Sequence, residues 1–301
     1  MNHIDVSVII CVRNGAKTLR RQLDALSGQV EPPQFEVIVS DNGSTDETVS
    51  VAKQWADENL GAVAELRIID SSAKRGIPHA RNAGAQAARG RMLAFCDADD
   101  AVDAGWVRAL HASVDSGLGG GRVTAIRPNG SIDHAAFGDA LQQTSYLPHV
   151  SGCNFAITHE AFFDVGGFDE SLPSYGCDDL EFSWRVQESG HRLVYVPDAI
   201  VNFTITPPTR VVKKEFLMAK ARVAVAARHP ASETQVPSLP HFVGHLAHSV
   251  MLLPWRMIRP GGTRRVRWVR WTVDAAGRLS GYWTYFVRGN KHRPQLLPRV
   301  N

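Results

Sequence analysis

The chain has 301 residues, of which 44% are hydrophobic and 21% charged, so it is long and apolar enough to bury a sizeable core. This composition excludes disordered, collagen-like and coiled-coil proteins, and four widely spaced cysteines give no indication of a disulfide scaffold or a zinc site. The formal net charge of +3 is unevenly distributed, because residues 1–240 carry 22 basic and 29 acidic side chains whereas residues 241–301 carry 11 basic side chains and one acidic one.

Strands and helices alternate in the first hundred residues. Apolar runs at 6–12, 35–39, 66–69 and 92–96 are typical of buried parallel strands. Helical patterns lie between them at 16–26, from 44–47 to about 59, and at 78–88, and Ser44 or Thr45 is expected to cap the second of these helices. The alternation predicts an α/β fold with a parallel sheet and right-handed crossovers.

Beyond this region the pattern is less regular. Helices are expected at 103–114 and 181–190, a glycine-rich turn at 117–121, and strands at 123–126, 154–158 and 192–196. From Val211 onward the pattern predicts helices only, interrupted at His229–Pro230, Pro254 and Pro260–Gly262.

Neither a targeting segment nor a membrane span is expected. The first five residues lack the basic and apolar regions of a signal peptide. The most apolar late stretch, 242–258, is interrupted by two histidines, a proline and an arginine, so it falls short of the roughly 20 apolar residues of a span. We therefore expect a cytoplasmic protein.

Three acidic clusters follow predicted strands or comparable turns. They are Asp41 after the second strand, Asp97–Asp100 after the fourth, and Asp178–Glu181 where a glycine-containing loop enters a helix. Ligands of open α/β sheets bind at the carboxyl ends of the strands. Crowded carboxylates repel unless a cation or proton lies between them, and such oxygen ligands suit Mg²⁺ or Mn²⁺. For Asp99 and Asp100, capping of the following helix is the alternative.

The order of these motifs resembles the family 2 glycosyltransferases, which are inverting enzymes of the GT-A fold, a Rossmann-like, mainly parallel sheet flanked by helices. The matching segments extend over roughly two-thirds of the chain, and they are Ser7–Ile10, Asp41–Asp46, Arg81–Gly84, Asp97–Asp100, Gly166–Glu170, Asp178–Glu181 and Pro197–Ala199. The resemblance implies a hexosyltransferase-type enzyme that moves a sugar from a nucleoside-diphosphate sugar, UDP-linked, to a hydroxyl of a glycan or lipid-linked acceptor. Cell-surface polysaccharide or glycoconjugate synthesis is the implied setting.

The resemblance also implies how the chain is divided. Residues 1–115 would form the nucleotide-sugar-binding half of the GT-A domain, and residues 116–208 would form the half that binds the acceptor and carries the catalytic base. Residues 209–301 would form a basic helical C-terminal extension.

Five residues would surround the donor nucleotide by the same resemblance. Asp41 would accept a hydrogen bond from the nucleobase, with Cys11 and Arg13 beside it. Arg81 would lie near the nucleotide, where a guanidinium suits a polyanion, although a charge on the helix surface is the alternative. Asp97 matches the aspartate on the ribose side.

The metal and the base would also come from acidic residues. Asp99 matches the aspartate that binds a divalent cation, Mn²⁺ or Mg²⁺, on the donor diphosphate. Asp179 is expected to be the general base, and Asp178 stands where the family has Glu, which leaves open which of the two lies nearer the acceptor. Capping of the following helix is the alternative for both.

The acceptor side is expected to include four residues. Gly152 would allow close approach of the backbone to a sugar, and Asn154 belongs to the same segment. Tyr175 and Trp184 would stack on sugar rings, although a core position on its helix is the alternative for Trp184.

Arginine and tryptophan alternate in the 255–271 region. Such a pattern around apolar helical stretches is typical of contact with an anionic membrane surface, here the inner face of the cell membrane. Solvated helices packed on the catalytic domain, or a subunit interface, are the alternatives. No nucleic-acid partner is expected, because nothing upstream resembles a nucleic-acid-binding module.

Two other functions compete with this interpretation. A sugar nucleotidyltransferase would need a glycine-rich phosphate loop after the first strand, and Cys11–Gly15 is a poor version of one. A non-catalytic carbohydrate- or membrane-binding protein that keeps the fold would be expected to lose its acidic residues, yet Asp41, Asp99 and Asp179 are all present.

Overall fold

The computed structural model describes residues 3–59, 61–127, 129–133, 139–205, 211–232, 240, 243–244, 247–248, 251, 262–288 and 293–298. The chain forms two compact units. The sheet unit comprises Met1–Asp169, Asp179–Ile205 and Leu296–Asn301, and the helical unit comprises Glu170–Asp178 and Thr206–Gln295.

In the part of the sheet unit that the structure describes, eight strands form one mixed sheet. In chain order they are β1 (Val6–Val12), β2 (Phe35–Asp41), β3 (Glu65–Asp70), β4 (Met92–Asp97), β5 (Ala101–Val102), β6 (Leu118–Ile126), β7 (Asn154–Thr158) and β8 (Leu193–Thr204). Their order across the sheet is β3-β2-β1-β4-β7-β6-β8-β5. The first four are mutually parallel, as expected. β7 runs antiparallel to both of its neighbours, which makes the sheet mixed rather than wholly parallel.

Among the described residues, six helices accompany the sheet, and they are α1 (Leu19–Ser27), α2 (Thr48–Glu58), α3 (Ile77–Ala87), α4 (Trp106–Ser113), α5 (His159–Asp164) and α6 (Asp178–Glu188). Successive side chains of a strand point to opposite faces of the sheet, and those of β1 are mostly apolar on both faces. Helices therefore cover both faces of the sheet. Val8 and Ile10 pack in a cluster that includes Trp55 of α2. Ile9 packs in a second cluster that includes Phe162 of α5.

The predicted strands 6–12 and 154–158 have the bounds found in the structure. The glycine-rich turn predicted at 117–121 is wrong, because Gly119, Gly120 and Gly121 lie within β6. A Cβ on Gly121 would be 2.2 Å from the carbonyl oxygen of Ala199 in β8, so glycine is required there by close packing within the sheet.

The helical unit contains α7 (Val211–Arg228), a short 3₁₀ turn (Pro230–Ser232), α8 (Gly262–Tyr282) and a π-helical turn (Trp283–Val287). The expected break at His229–Pro230 is confirmed, since α7 ends at Arg228. The expected breaks at Pro254 and Pro260 lie outside the described residues. A Cβ on Gly277 of α8 would be 2.4 Å from a carbonyl oxygen of α7, so the two helices are in close contact.

None of the helices in the described part of the chain is both long enough and apolar enough to cross a membrane.

Candidate active site

The carboxyl ends of β1, β2 and β4 bring three of the predicted donor residues to one edge of the sheet. Cys11 of β1 is in register with Asp97 of β4, and the next residue, Val12, is in register with Asp41 of β2. Arg13 lies in the exposed bend that follows β1. The strand register alone therefore places these residues beside one another.

Asp41 closes the turn after β2. It is largely buried, and its two carboxylate oxygens accept the N–H of Ser44 at 3.3 and 3.2 Å. Asn14, after β1, donates its N–H to Ser44 Oγ at 2.8 Å and accepts the N–H of Thr45 at 2.7 Å. Ser44 and Thr45 thus tie two loops together, and the prediction that one of them caps a helix is wrong, because α2 begins at Thr48.

Asp97, Asp99 and Asp100 form the cluster after β4. One oxygen from each carboxylate lies within 4.8 Å of the others, and no other group of three such ligands occurs in the described part of the chain. Asp99 is exposed, whereas Asp100 is fully buried. Burial, reinforced by the negative charge of Asp97, raises the pKa of Asp100 to about 8.

Asp100 belongs to this acidic cluster, although the sequence-based choice of candidate site residues left it out. Capping of the following helix was the alternative for Asp99 and Asp100, and it is wrong, because Gly105 stands at the N-terminus of α4. Asp100 Oδ1 instead accepts the N–H of Thr204 at 2.9 Å, and its Oδ2 has no hydrogen-bond partner among the described residues. The signal in the sequence that could have identified Asp100 was its position next to Asp99 in the acidic run Asp97–Asp100.

Arg81 is buried rather than on the helix surface, which corrects the alternative considered for it. Its guanidinium lies over the rings of Phe168 and Phe155, with its carbon 5.1 and 5.6 Å from the ring centres. Arg81 Nη2 is 3.7 Å from Asp97 Oδ1 and donates to the carbonyl oxygen of Gly152 at 2.6 Å. The N–H of Gly152 in turn donates to Asp179 Oδ2 at 2.9 Å.

Asp178 and Asp179 occupy the first turn of α6, three residues before the predicted start of that helix. The preceding loop ends at Gly176 and Cys177, which have φ of 97° and 58°. Asp178 is buried, whereas Asp179 is partly exposed. Of the two, Asp179 has the carboxylate that is accessible and that contacts Gly152.

Two of the four predicted acceptor residues serve the interior of the sheet unit instead. Asn154 is fully buried, and its amide accepts from Trp106 and donates to two carbonyl oxygens, of Arg122 at 2.6 Å and of Ala199 at 2.8 Å. Trp184 is 3% exposed and donates to the carbonyl oxygen of Leu147. Neither side chain is placed to contact a sugar, because each is enclosed and bonded to its own chain.

Tyr175 belongs to the helical unit. The Lys214 ammonium of α7 lies 4.9 Å from the centre of its ring, a cation–π contact. Tyr175 is partly exposed, so part of its ring remains available for contact with a ligand.

Arginines of the C-terminal extension (209–301) form ion pairs within the helical unit. Arg270 of α8 donates to Glu215 of α7 at 3.0 Å, and Arg222 of α7 donates to Asp274 of α8 at 3.2 Å. Trp255, Arg256 and Arg259 lie outside the described residues, as do the side chains of Arg264 and Arg265. Arg267 and Trp271 are exposed on α8.

Comparison with known proteins shows which sequences and structures this chain is similar to. The sequence profile of "Glycosyl transferase family 2" matches residues 7–165, and that of "N-terminal domain of galactosyltransferase" matches residues 135–207. The chain is 31% identical to "Glycosyltransferase AglE" of Haloferax volcanii, over 91% of this chain and 95% of that protein. It is 30% identical to "Pre-mycofactocin glycosyltransferase" of Mycobacterium tuberculosis over 76% of this chain, which spans about half (49%) of that protein.

Two solved structures share the fold at low sequence identity. The mannosyltransferase PcManGT of Pyrobaculum calidifontis, in complex with GDP-Man and Mn²⁺, has a TM-score of 0.59 at 18% identity and covers 94% of this chain and 88% of its own. GalNAc-T7 with UDP, GalNAc and Mn²⁺ has a TM-score of 0.60 at 17% identity and covers 98% of this chain and 59% of its own.

Proposed function

The chain belongs to glycosyl transferase family 2 and is a glycosyltransferase of the GT-A fold, and from this premise we propose that it transfers a sugar from a UDP-linked donor to an acceptor hydroxyl, with inversion at the anomeric carbon. One observation carries the proposal. Arg81 donates to Gly152, whose N–H donates to Asp179, and Arg81 also lies beside Asp97 of the acidic cluster; these contacts support a single site for the donor-side acids and the base candidate.

The acidic cluster fits a divalent cation, Mn²⁺ or Mg²⁺. Asp99 is exposed to bind it, Asp97 is adjacent, and the unpartnered Oδ2 of buried Asp100 is the kind of polar atom that a cation satisfies. When bound, the cation would neutralise negative charge on the departing diphosphate. Asp97 would also contact the ribose, and Asp41 would accept from the nucleobase beside Cys11 and Arg13.

Asp179 is the general base in this proposal. Its carboxylate takes the proton of the acceptor hydroxyl as the hydroxyl oxygen attacks the anomeric carbon, and the bond from that carbon to the diphosphate oxygen breaks. The partial exposure of Asp179, against the burial of Asp178, favours Asp179 for this role. One displacement of this kind inverts the configuration of the sugar.

Residues 1–115 would then serve the donor and residues 116–208 the acceptor and the base. The acceptor would be a glycan or a lipid-linked sugar in the synthesis of cell-surface polysaccharide or glycoconjugates. Gly152 remains a candidate for the acceptor side, because it is partly exposed, and the role of Tyr175 stays a prediction.

Calorimetric titration with UDP, GDP, dTDP and CMP, with and without Mn²⁺, tests the donor site. We expect UDP to bind most tightly, to require the metal, and to lose at least about tenfold in affinity in Asp99→Ala. Asp115→Ala is the matched control, since this exposed aspartate precedes β6 at the opposite edge of the sheet. Failure of every nucleotide to bind would refute the donor proposal. Tighter binding of GDP than of UDP would refute the assignment of uracil as the nucleobase.

Turnover of Asp179→Asn and Asp178→Asn tests the base. We expect Asp179→Asn to keep its affinity for UDP and to lose about 10²–10⁴-fold in kcat, as removal of a general base requires. Asp178→Asn is the internal control, and a larger loss there than in Asp179→Asn would move the base to Asp178. Analysis of the product by NMR determines whether the anomeric configuration is inverted.

We also propose that the helical unit contacts an anionic membrane surface. Trp271 and Trp283 are 36% and 53% exposed, and Arg267 is exposed on the same helical segment. We expect the full chain to cosediment with phosphatidylglycerol vesicles at low salt and to be released as ionic strength rises. Lack of cosedimentation at low salt would contradict this proposal and leave the donor chemistry unaffected.

A further inference from the structure

Arg81 holds its charge inside the sheet unit. The side chain is 5% exposed, and its guanidinium lies over two aromatic rings. A buried cation is costly unless its donors are bonded to acceptors. Most of the surface that a nucleotide would need to reach on Arg81 is therefore already covered by the protein.

The hydrogen bonds of Gly152 connect Arg81 to Asp179. Arg81 Nη2 donates to the Gly152 carbonyl oxygen at 2.6 Å, and the Gly152 N–H donates to Asp179 Oδ2 at 2.9 Å. The other oxygen of that carboxylate, Oδ1, accepts the N–H of Leu180 at 2.9 Å. A carboxylate oxygen can accept more than one hydrogen bond, so each can also accept one from an acceptor hydroxyl.

This arrangement leaves little room for a side chain at position 152. A Cβ on Gly152 would be 3.0 Å from Arg81 Nη2 and 3.2 Å from Asp179 Oδ2. Both distances are shorter than ordinary van der Waals contact, so a methyl group there would require Arg81 or Asp179 to shift by a few tenths of an ångström.

The aromatic residue nearest the Arg81 guanidinium, Phe168, is held in place by the residue that follows Arg81 in the chain. Asn82 is fully buried, donates from Nδ2 to the carbonyl oxygen of Phe168 at 2.9 Å, and accepts the Phe168 N–H at 2.8 Å. The ring of Phe168 is the nearer of the two rings under the guanidinium. Two adjacent residues of α3 therefore act together, because Asn82 fixes the main chain of Phe168 and Arg81 lies over its ring.

We propose that Arg81 is a positioning residue, which holds the main chain of Gly152 so that its N–H orients the Asp179 carboxylate, rather than a ligand of the donor nucleotide. The inference rests on the proposed role of Asp179. Displacement of a catalytic group by about 1 Å can cost about 10²-fold in rate, so such a residue affects kcat without touching the substrate.

Arg81→Met and Arg81→Lys test the inference, with UDP affinity, kcat and KM measured separately. We expect both to bind UDP as the wild type does in the presence of Mn²⁺, with kcat about 10²-fold lower in Arg81→Met. Arg81→Lys should recover part of that loss, because an ammonium still donates to the Gly152 carbonyl. Loss of UDP binding with an unchanged kcat at saturating donor would overturn the proposal.

A second variant covers the case in which Arg81→Met does not fold. Gly152→Ala inserts only a methyl group, and Gly105→Ala is its control, since the nearest atom to a Cβ at position 105 is 3.8 Å away. We expect Gly152→Ala to lose kcat and keep UDP affinity, and Gly105→Ala to match the wild type. An unchanged kcat in Gly152→Ala would overturn the proposal.

Combination with Asp179→Asn separates this inference from the proposed function. If Arg81 acts through Asp179, the double variant Arg81→Met/Asp179→Asn is no slower than Asp179→Asn alone. Full multiplication of the two losses would refute the positioning role while leaving the base in place. A fully active Asp179→Asn would instead refute the base itself.

Discussion

Glu36 lies at the amino end of β2, at the edge of the sheet opposite to Asp41 and Asp97. Its side chain is fully buried, and both carboxylate oxygens are bonded. Ser7 Oγ and the Arg89 N–H donate to Oε1 at 2.7 and 2.8 Å, and Arg67 Nη2 and Arg89 Nη2 each donate to Oε2 at 2.7 Å. Burial alone would raise the pKa of Glu36, but these hydrogen bonds outweigh it and lower the pKa below its ordinary value.

We predict that Glu36→Gln destabilises the protein by about 2–4 kcal/mol at pH 7. Loss of one member of a buried ion pair costs about 3–5 kcal/mol, and an exposed pair contributes about 0.2–1 kcal/mol. Glu36 falls between these limits but nearer the first, because it is 0% exposed while the side chains of Arg67 and Arg89 are 27% and 49% exposed.

The pH dependence follows from the direction of the pKa shift. A carboxyl group whose pKa is lower in the folded than in the unfolded protein stabilises the fold above the unfolded pKa, and this contribution disappears as the pH falls through the folded pKa. Urea denaturation of the wild type and Glu36→Gln should therefore show their largest difference in unfolding free energy near neutral pH and a shrinking difference in acid.

Glu65→Gln is the control, since Glu65 pairs with the same Arg89 but is 45% exposed. It should cost less than about 1 kcal/mol. An equal loss in both variants, or a difference that does not change down to the acid limit of folding, would refute the reasoning. Folded Glu36→Gln should keep the kcat of the wild type, because the residue lies away from the carboxyl ends of the strands.

Two further predictions concern glycines that permit close packing. Gly121→Ala places a Cβ 2.2 Å from a β8 carbonyl oxygen and should lower the unfolding free energy by about 1–3 kcal/mol, whereas Gly28→Ala, with its nearest neighbour at 3.6 Å, should be neutral or stabilising in the same urea titration. Gly281→Ala places a Cβ 2.9 Å from the Lys220 carbonyl oxygen and should make the helical unit more susceptible to limited trypsin digestion. Gly105→Ala serves as the control, and equal cleavage rates in the two variants would contradict the close contact of α7 and α8.

The sequence by itself determined the fold class and the order of the acidic motifs. Continuous apolar runs such as Val6–Val12 are compatible with few structures other than buried strands, so their bounds follow from local composition. The carboxyl ends of parallel strands share an edge, and for this reason Asp41 and Asp97 were predictable at the same edge of the sheet once the strands were recognised.

Predictions from the local sequence pattern failed where packing between segments distant in sequence determines the structure. The glycines at 119–121 have the composition of a turn, yet they form part of β6 because a neighbouring strand approaches too closely for any side chain. Asparagine and tryptophan are residue types that suit a sugar-binding surface, yet Asn154 and Trp184 are each enclosed by residues far away in sequence. Nothing within a few residues of these positions records the approach of the other strand or helix.

Only the tertiary structure brings Arg81, Gly152 and Asp179 together, at separations of 71 and 27 residues. The sequence marks Arg81 as a cation near acids, which suggests a polyanionic ligand. In the folded chain the guanidinium is buried over two aromatic rings and donates to a main-chain carbonyl instead. The physical reason is general, because residue type limits what a side chain can bind, whereas its partner is decided by which atoms the folded chain brings within hydrogen-bonding distance and shields from water.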